Sequence, residues 1–115
     1  MIVVEFVGAE EAFQTLSEPI RGELARRLGL RPESILVRRL VTQGGTETTE
    51  LWVELSSEEQ VFRRGREIAE AITELVQQRI ETDLWVMFRV VPLSHAFLNG
   101  RPRARGRANT ESSPE

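Results

Sequence analysis

The sequence predicts an α+β fold in which tandem βαβ units form a four-stranded mixed sheet with two helices on one face. Four short stretches rich in β-branched and aromatic residues have the composition of strands. Two longer stretches repeat apolar residues every three or four positions, which is typical of amphipathic helices. The order is strand, helix, strand, and then the same again. Because crossovers between parallel strands are right-handed, both helices should cover the same face.

The first half of the chain contains one strand, one helix and a second strand. The stretch "IVVEFV" at Ile2–Val7 predicts the first strand. The apolar repeat of the helix ends at Gly29, and Pro19 inside it is expected to kink the helix or to mark a restart. The second strand is predicted at Ile35–Val41. The segment "TQGGTET" then predicts a hairpin loop, because its adjacent glycines can adopt positive φ.

The second half repeats this order. The third strand is predicted at Thr49–Leu55, and "SSEEQ" starts the second helix, with Ser57 and Gln60 spaced as a capping box. Gly65 is interpreted as a site of close packing between helix and sheet. "TDLWVMFRVVP" is the fourth strand and ends at Pro92, and the following "SHAFLNG", with its Asn-Gly turn, is judged too short to form a hairpin of its own. The predicted buried stripe of the second helix is Phe62, Gly65, Ile68, Ala69, Ile72, Leu75 and Val76.

The face of the sheet opposite the helices is predicted to mix charged and apolar side chains. It would carry two tryptophans beside charges of both signs, and a monomer would leave them in water. A surface of this kind suggests a subunit interface. The residues predicted for this face are Glu5, Arg38 or Arg39, Glu50, Trp52, Glu54, Trp85, Met87 and Arg89.

The composition excludes several common kinds of active site. The chain has no Cys and no Tyr, its 15 basic residues are all Arg, and its one histidine is His95. A thiol nucleophile, a lysine Schiff base and a multi-histidine zinc site are therefore excluded. We expect no metal and no cofactor. The α-amino group of Met1 is one of the few groups with an ordinary pKa near neutrality, about 7.7–8.0.

The chain is predicted to be one domain at residues 1–100, followed by a largely flexible tail at 101–115 that is rich in Arg, Pro and Ser. No apolar run is long enough to span a membrane and no signal peptide is expected, so we expect a cytoplasmic protein. The arginines of the tail could contact phosphates. The net charge of −3 and the lack of interleaved aromatic residues do not favour nucleic acid as a partner.

Three stretches keep an order and spacing that carry more information than each does alone. They are the strand at the N-terminus, "LARRLGLRPESILVRRLV" and "QRIETDLWVMFRVVPLSHAFLNGRPR". Together they resemble the tautomerase superfamily, which includes 4-oxalocrotonate tautomerase and macrophage migration inhibitory factor. The likeness is closest to bacterial members of unknown function and covers residues 1–103.

The resemblance implies a homotrimer whose sheets surround a central axis, with the C-terminal segment adding to a neighbour's sheet. It also implies a catalytic N-terminal proline in an apolar pocket between subunits, where burial lowers the pKa of the amine. Here residue 2 is Ile2, whose bulk is expected to keep Met1 in place. We therefore expect a trimer that is non-catalytic or weakly promiscuous. The alternative is an isomerase of a small oxo-acid or enol-acid.

Arginines are the candidates for binding a small carboxylate ligand. The family's basic residue after the first helix aligns with Leu30, one step from Arg31, so Arg31 is a candidate by resemblance. Arg38, Arg39 and Arg89 could also hold a carboxylate in a fork geometry. The alternative is that these strand arginines pair with glutamates across strands or between subunits.

Three other residues keep two interpretations each. Met1 is either a primary-amine base or an ordinary N-terminus. His95 is either an acid–base group or a turn residue that makes a structural hydrogen bond. Phe97 is part of a pocket wall if a pocket exists, and otherwise packs in an interface.

Overall fold

A computed structural model describes residues 1–43 and 48–102 of the chain. The main strands and helices follow in the predicted order, with two 3₁₀ turns and a small terminal hairpin in addition. The elements are β1 (Ile2–Val7), α1 (Glu10–Leu28), a 3₁₀ turn (Pro32–Ser34), β2 (Ile35–Arg39), β3 (Thr49–Leu55), α2 (Glu58–Gln77), β4 (Leu84–Val90), a second 3₁₀ turn (Leu93–His95), β5 (Phe97–Leu98) and β6 (Arg101–Pro102).

Four strands form one mixed sheet in the order β2-β1-β3-β4. The pairs β1–β2 and β3–β4 are parallel and each is joined through a helix, whereas β1 and β3 are antiparallel. This arrangement confirms the predicted fold class. The expected hairpin between β2 and β3 is wrong, because β1 lies between these two strands. Gly44 and Gly45, which were predicted to form its turn, lie outside the described residues.

The two helices pack on the same face of the sheet, as predicted. Alternate side chains of the strands point toward them and form one apolar core, in which most members are almost fully buried. Because the period of a strand is two residues, the intervening side chains point to the face without helices. The central members of this core are Val4, Phe6, Leu16, Ile20, Leu24, Leu51, Val53, Ile68, Ile72 and Val76.

α1 runs as one helix despite Pro19, so the predicted restart is wrong. A proline removes one backbone donor, but Leu16 and Ile20 on either side of it are buried and hold the helix against the sheet. The helix ends where predicted. Gly29 adopts φ 68°, a left-handed conformation in which glycine has no Cβ penalty.

β2 is shorter than predicted and ends at Arg39 rather than Val41. The Leu40 N–H still donates to the Phe6 carbonyl at 2.8 Å. β1 ends at Val7, one residue after Phe6, so the residues after Leu40 have no further part of β1 to pair with. Val41 is correspondingly exposed.

The buried face of α2 agrees with most of the predicted stripe, including Gly65, Ile68, Ile72 and Val76, and differs from it at the start of the helix. Phe62 is 89% exposed, and its placement in the stripe was wrong. Val61 packs against the core instead, four residues before the buried Gly65. A Cβ at Gly65 would lie 3.6 Å from the Phe88 ring, which is ordinary van der Waals contact. Helix and sheet are therefore close here, but the space accepts a methyl group.

The predicted cap of α2 is present in a modified form. The Gln60 N–H donates to the Ser57 hydroxyl at 3.2 Å, as a capping box requires. The side-chain amide oxygen of Gln60, Oε1, accepts from the Ser56 N–H and hydroxyl, at 3.2 and 2.9 Å, instead of from the N–H of the N-cap residue itself. The cap thereby fixes Ser56, which follows the end of β3.

The segment after Pro92 forms a hairpin, contrary to the expectation that it is too short. β5 and β6 pair antiparallel, with Phe97 opposite Pro102 and Leu98 opposite Arg101. The predicted Asn-Gly turn joins them, with φ 54° at Asn99 and 80° at Gly100. Positive φ at both positions is the geometry of a type I′ turn. The proposed tail lies outside the described residues from 103 onward.

Candidate functional site

A pocket of about 350 Å³ lies at the N-terminal end of β1. This volume is at the lower end of the range for small-molecule sites. Ile2, Leu30 and Leu55 contribute apolar wall, and the remaining residues are polar or belong to the chain end. The lining residues are Met1, Ile2, Leu30, Ser34, Leu55, Ser56, Gln60 and Arg64.

The topology explains why these residues meet. β1 is parallel to β2, so the N-terminal end of β1 lies beside the 3₁₀ turn that leads into β2. β1 is antiparallel to β3, so the same end lies beside the last residues of β3. α2 starts directly after β3 and therefore brings its first two turns to this place. Two helix connections and the start of the central strand enclose the pocket.

Polar contacts fix one side of the pocket. Gln60 is held by Ser56 through the cap of α2. Arg64 lies one helical turn further and donates from Nη1 to the Leu28 carbonyl at 3.3 Å. That carbonyl belongs to the last turn of α1, so the contact ties α2 to the end of α1. Among the described residues that line the pocket, none is an acid or a histidine.

The site residues predicted from the sequence are only partly brought together. Met1 lines the pocket, and so does Leu30, the position aligned with the family's basic residue. Arg31, next to it, is exposed at the start of the 3₁₀ turn and does not line the pocket. Phe97 lies on the terminal hairpin and is 62% exposed. His95 is an exposed residue at the end of the second 3₁₀ turn, where its backbone N–H donates to the Pro92 carbonyl.

Sequence reasoning missed Arg64, Gln60, Ser34 and Ser56 as pocket residues. Gln60 and Arg64 are four residues apart, and this spacing places both on one side of a helix. The sequence could therefore have predicted that these two side chains lie close together. What the sequence did not show is that the start of α2 lies beside the start of β1, which depends on the position of β3 in the sheet.

The strand arginines are engaged elsewhere. Arg39 points to the helix-covered side and donates to the Gly8 carbonyl from Nε and Nη2, at 3.3 and 3.2 Å. Arg38 donates to Glu5 Oε2 from Nε at 2.9 Å and also from Nη2. Arg89 donates from Nη2 to Glu5 Oε1 at 2.7 Å and lies 3.5 Å from Glu54 Oε1. Cross-strand pairing, one of the two interpretations of these arginines, is thus present within one chain.

Glu5 is the centre of this ion cluster and its side chain is 8% exposed. The hydrogen bond from Arg89 lowers the pKa of Glu5 most, burial opposes this by raising it, and the hydrogen bond from Arg38 lowers it further. The result is a pKa below the ordinary value. A buried carboxylate that satisfies two guanidinium groups is a structural element of the sheet.

The cluster lies on the open face, which we define as the sheet face without helices. The strand registers place Val3, Glu5, Val7, Leu36, Arg38, Glu50, Trp52, Glu54, Trp85, Met87 and Arg89 on it. The predicted alternation was correct, and of the two arginines left open it is Arg38 that lies here. Trp85 is 61% exposed. The Arg89 guanidinium lies 5.9 Å from the centre of the Trp52 ring, within the range of a cation–π contact.

Two kinds of feature are absent from the described part of the chain. Neither α1 nor α2 combines enough length and apolar character to span a bilayer. Within residues 1–43 and 48–102, no group of three or more acidic or histidine side chains could hold a metal ion.

Comparison with known proteins gives matches among solved structures alone. No protein-family model matches the sequence, and no curated protein matches it. A protein of unknown function from Vibrio cholerae is 20% identical, with a TM-score of 0.72 over 88% of this chain and 86% of that one. A macrophage migration inhibitory factor homologue from Prochlorococcus marinus is also 20% identical, with a TM-score of 0.56 over 87% of this chain and 96% of that one.

A third structure is a wild-type fused 4-OT described as a symmetric trimer. It is 16% identical, with a TM-score of 0.60 over 92% of this chain and 98% of that one. At identities of 20% and below, these matches show the fold. The chain has the fold of the tautomerase and macrophage migration inhibitory factor superfamily, as the sequence resemblance predicted.

Proposed function

We propose that the protein is a homotrimer of tautomerase-fold subunits whose N-terminal pocket binds a small ligand and is at most weakly catalytic. The observation that carries the proposal is the open face. It exposes most of Trp85 and part of Trp52 beside an ion cluster whose charges are already paired within the chain. A neighbour could cover this part of the face while Glu5, Arg38 and Arg89 stay paired with one another.

Two further observations support self-association. The terminal hairpin exposes Phe97 and Leu98, at 62% and 51%, and packs chiefly on itself within the described ranges. A fused 4-OT with the same fold is described as a symmetric trimer. Sedimentation equilibrium on the parent protein tests the stoichiometry. A mass three times that of the chain is expected, and a stable monomer at micromolar concentration would contradict the assembly.

The weak catalysis follows from the residues of the pocket. A proton transfer needs a base whose pKa is near the working pH. An arginine stays protonated at neutral pH and cannot serve. With no acid or histidine among the described lining residues, the amine of Met1 is the base that remains. It is a primary amine, and the proline that the resemblance implies is missing.

A gain-of-function variant tests this reasoning. Ile2 is 9% exposed and packs in the core, so replacing it would also remove core packing. We would therefore insert a proline between Met1 and Ile2, so that removal of methionine leaves proline at the place of Met1. Ketonisation of an enol-acid such as phenylenolpyruvate should then rise well above the parent rate, since general-base catalysis contributes about 10²–10⁴-fold.

The controls separate the possible outcomes. Intact mass must show that the variant begins at the inserted proline, and acetylation of its amine should abolish the gain. A correctly processed but inactive variant would show that the pocket does not support proton transfer. High activity of the unmodified parent would favour the second candidate, an isomerase of a small oxo-acid that uses the Met1 amine.

A further inference from the structure

The turn at the tip of the terminal hairpin joins an asparagine directly to a glycine. Asn99 and Gly100 are exposed, with φ of 54° and 80°, and neither lines the N-terminal pocket. Glycine has no Cβ, so its backbone nitrogen is less shielded than that of other residues. The side-chain amide of an asparagine can react with such a nitrogen.

The reaction is an intramolecular deamidation. The Gly100 nitrogen loses its proton and bonds to Asn99 Cγ, and the Cγ–Nδ2 bond breaks so that the side-chain nitrogen leaves as ammonia. Water then opens the cyclic imide: attack at Cγ gives aspartate, and attack at the main-chain carbonyl carbon gives isoaspartate. One water is consumed and one ammonia is released. Arg101 follows Gly100 directly, and a nearby cation favours loss of the Gly100 proton because it stabilises the anion.

The hairpin holds the reacting groups apart while it is formed. Positive φ at both residues defines a type I′ turn, the mirror image of type I, in which ψ of the first central residue is about +30°. At this ψ the Gly100 nitrogen and the Asn99 Cβ lie on opposite sides of the Asn99 Cα–C bond. Closure of a five-membered ring requires both on the same side. Asn99 therefore has to leave the turn conformation before it can react.

The hairpin is a weak restraint on this residue. β5 and β6 pair through two residues each, Phe97 with Pro102 and Leu98 with Arg101. All four are exposed, and within the described ranges the hairpin packs chiefly on itself. A proline has no N–H, so the outer pair cannot exchange two hydrogen bonds. Since a two-stranded hairpin on its own is marginally stable, we expect this one to open often.

We propose that Asn99 is a site of spontaneous isoaspartate formation, which is controlled by opening of the terminal hairpin. In isoaspartate the main chain runs through Cβ and Cγ, which adds one atom between the Cα of residue 99 and the Gly100 nitrogen. A two-residue turn does not accommodate this atom, because its dihedral angles are matched to the twist of the strands. The modified hairpin therefore does not form again. The chemistry does not depend on the proposed function, since it requires neither a ligand nor assembly.

The test incubates the full-length protein at pH 8, both native and unfolded in urea, and maps its peptides by mass and chromatography. In urea Asn99 should convert faster than Asn109, the other asparagine of the chain, because Asn109 precedes the β-branched Thr110. In the native parent, conversion of Asn99 should be about two- to tenfold slower than in urea, because a marginally stable hairpin is open for a tenth of the time or more. Equal rates in both conditions would overturn control by the hairpin. A native parent that stays unmodified while the urea sample is fully converted would overturn the site.

A pair of variants at one position tests the role of the turn. Arg101→Pro removes the N–H that closes the turn, and its native rate at Asn99 should rise to within about twofold of the rate in urea. Arg101→Lys is the matched control, since it keeps both the backbone N–H and the charge, and it should react like the parent. Equal rates in the two variants would contradict the proposal.

The product is tested by comparing Asn99→Asp with the isolated isoaspartate fraction of the aged parent. Both carry the same new charge, but Asp-Gly also suits a type I′ turn. Cross-strand nuclear Overhauser contacts between residues 98 and 101 should persist in Asn99→Asp and be lost in the isoaspartate fraction. An isoaspartate fraction that keeps these contacts would show that the hairpin survives the modification. Loss of the contacts in both proteins would assign the effect to the charge and not to the added main-chain atom.

Discussion

Replacement of Trp85 by glutamate should dissociate the proposed trimer, and the size of the effect can be derived from the exposed area. An aromatic side chain as large as tryptophan buries up to roughly 250 Å², and 61% of Trp85 is exposed in one chain. About 150 Å² is thus available for burial against a neighbour. At about 25 cal/mol per Å², this amounts to an upper estimate of about 4 kcal/mol per subunit.

A loss of this size raises a dissociation constant by roughly 10²–10³-fold, since each 1.4 kcal/mol is about a factor of ten. The introduced carboxylate adds to the loss, because burying it unpaired is costly. Sedimentation equilibrium over a range of protein concentrations would measure the shift. Phe62→Glu is the matched control, since Phe62 is 89% exposed but lies on the outer side of α2. Equal dissociation of both variants, or of neither, would refute the assignment of the open face as the interface.

Two other predictions concern the stability of the subunit. Glu5 has a pKa lowered chiefly by Arg89, so its contribution to stability is present above the ordinary pKa of about 4.5 and is lost as the pH falls through the lowered value. In urea unfolding, Glu5→Gln should be less stable than the parent at pH 7 and approach it at pH 3; an equal difference at both would contradict the role of the Glu5 charge. Gly22 lies exposed within α1, where an added Cβ meets nothing within 4 Å, so Gly22→Ala should raise the free energy of unfolding by about 0.5–1 kcal/mol. Gly29→Ala should lower it by about 1–2 kcal/mol, since φ is 68° there; thermal unfolding that showed the same sign for both would contradict the argument.

The sequence predicted the faces of the sheet well, because a period of two residues assigns every side chain of a strand once one is assigned. Pairing of a strand arginine with a glutamate was one of two interpretations, and the contact of Arg38 with Glu5 on the neighbouring strand confirms it for Arg38. The order of the strands within the sheet was not predictable in the same way. Local patterns do not show on which side of β1 the third strand pairs, and so the hairpin was wrong.

Prediction of the pocket also required the position of β3 in the sheet. Its lining comes from the start of β1, two connections and the start of α2, which meet because β3 is antiparallel to β1. Arg64 was overlooked for this reason. Phe62 was misplaced for a different reason. Val61 and Phe62 are both apolar, and a helical repeat does not choose between neighbours that differ by about 100° around the axis. The packing of α2 on the sheet determines that Val61 is the residue that faces the core.

The central position of β1 has a consequence for synthesis of the chain on the ribosome. Its parallel partner β2 emerges after α1, but its antiparallel partner β3 emerges only later. During this interval a strand of five apolar residues and Glu5 has one unpaired edge, of the kind that recruits other chains. Glu5 also lacks Arg89 until β4 has been made, so its charge stands on that strand without its strongest partner. A carboxylate that is held by Arg38 alone in the middle of an apolar strand acts as a gatekeeper against aggregation, and the same side chain later becomes the centre of the ion cluster.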